Sequence, residues 1–148
     1  MIPIKVLVPS GVLGLGFDLE ALNNGVKNNP DIISIDGGST DSGPYSLGSG
    51  TSKYSRAAIK AEWKSLMIAR KKANIPLVIG SCGTCGTNGM VDWMENITIE
   101  LAEELNQNIK IAKLYCQQEK NFIKKNLQLR KIFNLNPAPM LNGQLIEE

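Results

Sequence analysis

The chain has 148 residues, 43% of them hydrophobic and 20% charged, which suits one domain of ordinary size with a buried core. Its formal net charge of +2 is too small to argue for nucleic acid or an anionic membrane surface, and no run approaches the ~18 apolar residues of a membrane span. There is no histidine, so proton transfer would fall to Asp, Glu, Lys, Tyr or Cys, and any metal to carboxylates or thiolates.

The first predicted element is the short apolar run "IPIKVLVPS" (2–10), a strand that lacks the basic start and long apolar core of a signal peptide. The loop "PSGVLGLGF" follows, with Gly11, Gly14 and Gly16 in a G-x-x-G-x-G spacing that is not the dinucleotide-binding G-x-G-x-x-G. A helix is expected over Asp18–Lys27, where Leu19, Leu22 and Val26 recur at helical spacing. "DIISIDG" (31–37) is the second strand, and it runs into the glycine-rich stretch Ser34–Gly50, read as a loop. Its "IDGGST" is similar to the first phosphate loop of actin-like kinases, but no second apolar run follows to complete their hairpin.

The second helix is expected over Ser55–Ala73 and the third strand at "IPLVIGS" (75–81), followed by the loop "GSCGTCGTNG". Met90–Leu105 reads as the third helix, "IKIAKLYC" (109–116) as a fourth strand nearer an edge, and Gln118–Phe133 as the last helix. Trp63 and Trp93 fall at core spacing, Cys116 reads as a buried small hydrophobe, and the lysine-rich last helix presents a solvated face. Strand and helix alternate four times, which predicts an α/β fold: an open three-layer sandwich with a mainly parallel sheet of about four strands, over residues 1–135, with 136–148 as a tail or the start of a further region.

In such sheets ligands bind outside the carboxyl ends of the strands. Three successive strand-end loops here are rich in Gly, Ser and Thr, residues whose backbone approaches an anion closely. They predict a small-molecule anion cleft with Gly38, Ser39, Thr40 and Tyr45 on its main wall, Ser81, Gly83 and Thr84 on a second, and Ser10 and Gly11 on a third. Asp36 and Asp41 would act as acid and base or hold a divalent cation such as Mg²⁺. Lys53 and Arg56, at the start of the second helix, would hold the anion. Cys82 and Cys85 form a C-x-x-C at a strand end, the position of a thiol redox motif, which is an alternative reading. The odd cysteine count points to a reducing cytoplasm.

In order, "KVLVPSGVLGLG", "IDGGSTDSGPYSLGSGTSKYSRAAIK" and "PLVIGSCGTCGTNGMVDW" resemble the N-terminal region of acyclic terpene utilisation AtuA-type proteins, over roughly residues 4–120. The resemblance implies a Rossmann-like α/β unit and a role near acyl-CoA or branched carboxylic-acid breakdown. It implies site residues at Asp36, Ser39, Asp41, Tyr45, Lys53, Tyr54, Arg56, Ser81, Cys82 and Thr84. Among these Asp36, Asp41, Lys53, Tyr54 and Cys82 would carry the chemistry. Family members run to several hundred residues, so the expected partner is the remainder of a larger enzyme or a second subunit. The sequence thus predicts an enzyme domain acting on a carboxylate or acyl-CoA substrate, the other choice being a non-catalytic ligand-binding or assembly domain.

Overall fold

The computed structural model describes residues 3–38, 44–133 and 142. The chain divides into two units, Met1–Tyr115 and Cys116–Glu148. In the first, the element order is β1 (Val6–Leu7), α1 (Leu19–Lys27), β2 (Ile32–Asp36), α2 (Pro44–Ser49), α3 (Arg56–Ala73), β3 (Leu77–Gly80) and α4 (Asn88–Glu104). The second unit holds α5 (Lys120–Gln128), which has no buried residue and no side-chain cap at its start. The fold is α/β. Among the described residues no helix is long and apolar enough to cross a membrane.

The helix starts follow from their capping residues. Asp18 accepts from the Glu20 and Ala21 N–H groups, Ser55 from Ala58, and Thr87 from Met90, which starts α4 two residues before the apolar periodicity does. Asn74 ends α3 in the left-handed conformation. Helix α2 interrupts the expected Ser34–Gly50 loop; it opens at Pro44, whose fixed φ suits the first turn.

The three strands are parallel and lie in the order β1-β2-β3, with Leu7 beside Ile33 and Ile33 beside Leu77. Ile33, Ile35, Leu22, Ile59, Trp63, Leu66, Met94, Ile97 and Leu101 form one core, with Leu7, Leu77 and Ile79 packed against it. Helices α1, α3 and α4 all contribute to that core, so they cover the same side of the sheet. This is what right-handed crossovers produce when strands are laid down in sequence order. The described elements of this unit therefore make two layers where three are expected. The opposite side carries Val6 beside Ile32 and Ser34 beside Val78. Ile4, Val6, Val8 and Val78 are exposed there, at 75%, 54%, 59% and 46%.

The expected fourth strand does not join the ladder. Residues 109–116 make no strand pairing, and β3 remains the last strand of the sheet among the described residues. With no ladder partner the segment lies open, and Cys116, expected to be buried, is exposed. Trp63 is buried as expected, whereas Trp93 is half-buried at the margin of the core.

The two sides of the sheet should respond differently to mutation. Ile33→Ala is expected to cost about 2–5 kcal/mol in urea unfolding, while Val78→Thr on the open side should stay within about 0.5 kcal/mol of wild type. A comparable loss in both would mean that the open side is covered.

Candidate functional site

The loop after β1 was expected to offer its amides to a ligand anion, and the fold supplies an anion of its own. The Glu62 carboxylate on α3 accepts the N–H of Gly14 through one oxygen and that of Gly16 through the other, both at 2.7 Å. Both glycines have positive φ, +108° and +87°, so the backbone turns its amides toward the carboxylate at no steric cost. The Tyr54 ring closes this loop from above, where a Cβ on Gly14 would lie 2.6 Å from the ring. Leu13 N–H donates to the Asp36 carbonyl at 2.8 Å and fastens the loop to the end of β2. Ser10 and Gly11 stand outside the Glu62 clamp; Ser10 Oγ bonds locally to the Val12 carbonyl, and Gly11 borders open space.

The loops after β2 and β3 meet at Thr84. Its N–H donates to the Gly37 carbonyl, and its Oγ1 accepts the Lys53 N–H at 3.0 Å. A side chain on Gly38 would overlap the Thr84 backbone, so only glycine allows this approach. Gly38 N–H donates in turn to the Asp36 carboxylate at 3.0 Å. Thr84 is 1% exposed and sits at φ +77°, a costly conformation for a β-branched residue, on the order of 1–3 kcal/mol. Ser81 at +47°, Gly83 at +59° and Gly86 at +65° share this left-handed habit. The 81–87 loop is therefore bent into a tight arch, closed by the Gly86 N–H to Cys82 carbonyl bond.

Of the expected site residues, Asp36, Gly38, Lys53, Ser81 and Thr84 lie at one edge of the sheet. Other expected site residues are engaged elsewhere. Arg56 donates to Glu100 at 2.7 Å, in a network where Lys60 bridges Glu100 and Glu104 and Lys64 joins Glu104. Hydrogen bonds from Lys60 first, then from Arg56 or Lys64, hold the Glu100 and Glu104 carboxyls below their usual range. Tyr54 packs on the first loop, with the Lys53 ammonium 5.8 Å from its ring centre. Tyr45, on α2, is exposed. Ser39, Thr40 and Asp41 lie outside the described residues.

Burial pushes the Cys82 thiol up, opposite to the shift that makes a nucleophilic thiolate. Cys82 and Cys85 are both free, and the Cys85 thiol lies 3.6 Å from Thr87 Oγ1. Among the described residues no group of three or more Cys, Asp and Glu side chains is placed to hold a metal ion. Glu62 is the residue that sequence reasoning missed. It is half-buried beside the stripe of Ile59, Trp63 and Leu66, and an acid drawn partly out of water at such a position needs donors.

Comparison of the chain with family models, with curated proteins and with solved structures finds no match in any of the three.

Glu62→Ala is expected to destabilise the protein by about 2–4 kcal/mol by denaturant unfolding, because two charge-assisted bonds are lost together. Glu100→Ala, on the exposed network, should cost at most about 1 kcal/mol. Equal effects would show that the loop does not depend on the internal carboxylate.

Proposed function

We propose that the chain is the ligand-binding part of an enzyme that acts on a carboxylate or its CoA thioester. The ligand would sit at the carboxyl edge of the sheet, between the Asp36–Gly38 turn and the arch of residues 81–87. The observation that carries this reading is the left-handed Thr84, a β-branched residue held in a strained conformation by Gly37, Gly38 and Lys53. Strain of this kind persists where the surroundings over-determine it, and it concentrates at ligand clamps. Asp36 is the acid/base candidate, and Lys53 the cation candidate, since its backbone is bonded to Thr84 whereas Arg56 is paired with Glu100.

The succession of parallel strands and crossover helices supports a Rossmann-like layout, with 109–114 beside β3 in the place of a fourth strand. The resemblance to AtuA-type proteins would set the substrate among branched carboxylic acids or terpenoid acyl-CoA thioesters, with an anion partner and a cytoplasmic setting. A divalent cation would join the site through Asp36 and Asp41.

A second reading is favoured by the exposed apolar side of the sheet at Ile4, Val6, Val8 and Val78. On that reading the chain is a non-catalytic ligand-binding or assembly domain of a larger enzyme. The thiol redox reading is weakened by the upward shift of Cys82.

Thermal unfolding against short branched carboxylates, CoA thioesters, ATP with Mg²⁺, and NAD tests the proposal. A ligand at about a hundred times its Kd adds about 2.7 kcal/mol, or several degrees at ~2–4 °C per kcal/mol. Carboxylates or thioesters are expected to give that shift, and Asp36→Asn to keep binding while abolishing turnover. No shift with either class would refute the reading.

A further inference from the structure

The net charge of +2 hides an uneven placement. Between residues 116 and 133, Lys120, Lys124, Lys125, Arg130 and Lys131 stand against the single acid Glu119. This cationic stretch is built around α5, the helix of the second unit, which holds no acid of its own.

α5 lacks what ordinarily keeps so short a helix folded. It has 9 residues, and isolated helices below about 12–15 residues are marginal in water. Its N-cap, Glu119, makes no side-chain bond to the first turn, and none of its residues is buried. A helix of this length draws its stability from packing an amphipathic face. α5 has such a face. Phe122, Ile123 and Leu127, with Leu129 at the C-cap, fall within an arc of about 160° at roughly 100° per residue. Phe122 and Leu129 are exposed. Asn126 lies in the same arc and spends its amide on the Phe122 carbonyl at 2.8 Å.

The lysines are placed around that arc. Lys120 borders it on one side, Lys125 borders it on the other, and Lys124 lies on the opposite face. A protein groove closing over the arc would strip water from both bordering ammonium groups. A flat anionic layer would not, because the lysine stems can reach back to the headgroups while the apolar arc enters the acyl boundary. Strong amphipathicity, low overall hydrophobicity and a basic polar face belong to helices that lie in a lipid interface. We propose that α5 is an interfacial anchor for an anionic lipid surface, with Phe122, Ile123, Leu127 and Leu129 inserted and the lysines at the phosphates. The contact is reversible, because one short helix buries little, and it is sensitive to salt. It does not depend on what the carboxyl edge binds.

The test uses the full chain and cosedimentation with vesicles of phosphatidylcholine containing about one-third phosphatidylserine. Saturable binding is expected at low salt, with loss at about 1 M salt, where screening is nearly complete. Vesicles of phosphatidylcholine alone, and polyglutamate in solution, should each bind more weakly by about tenfold or more. The double variant Lys124→Glu, Lys125→Glu should abolish binding, and Phe122→Ser should weaken it by about tenfold. Both should keep the wild-type thermal unfolding midpoint, since α5 buries no residue. The α5 amides should exchange rapidly in the free protein and slow when vesicles are added. The proposal is overturned if the mixed vesicles do not bind, if neutral vesicles or polyglutamate bind as tightly, or if Phe122→Ser binds like the wild type. It is also overturned if the α5 amides are already protected without vesicles, because the apolar arc would then be covered by protein.

Discussion

The carboxyl edge of this sheet depends on one buried threonine. Thr84 gives its N–H to Gly37 and takes the N–H of Lys53, so a single residue joins the loops after β2 and β3 to the start of α3. The join requires glycine at position 38, and it holds Thr84 at φ +77°. The cost of that conformation must be met by the surrounding packing, here a residue that is 1% exposed. Glu62 performs a parallel task one loop away, where a carboxylate from α3 fills the amide cradle of Gly14 and Gly16. The glycine-rich loops of this chain are first of all devices for interlocking with their own neighbours.

The strand order has a second consequence. Strands laid down as β1-β2-β3 send each right-handed crossover to the same side. The helices share one core, and the other side of the sheet is left with exposed Ile4, Val6, Val8 and Val78. The crevice of a doubly wound sheet arises where strand order reverses. No such reversal occurs among the described strands, so any ligand at the carboxyl edge relies on the turn at Gly38 and the arch at Ser81–Thr87 rather than on a gap between diverging loops.

Most of the fold was legible because helical periodicity and capping act locally. Asp18 and Ser55 mark helix starts by the hydrogen bonds they accept, and the apolar runs at 31–37 and 75–81 contain β2 and β3. What was not legible depended on tertiary partners. Residues 109–116 have strand-like composition, but a strand needs a ladder, and composition does not report whether β3 accepts one. The same holds for the site. Asp36, Gly38 and Thr84 could be grouped from their loops, whereas the pairing of Arg56 with Glu100 rests on how α3 crosses α4. Glu62 carried the one available signal, an acid beside an apolar helix stripe, and it was the residue passed over.

The central claim is that the loops at the carboxyl edge are fixed by internal partners and not by a ligand. Native-state amide hydrogen exchange on the ligand-free protein tests it directly. The Gly14, Gly16, Lys53 and Thr84 amides are predicted to exchange as slowly as those of β2, because their acceptors are Glu62, Thr84 and Gly37. Rapid exchange at these four amides, with β2 still protected, would contradict the claim and mean that the loops take this shape only around a ligand.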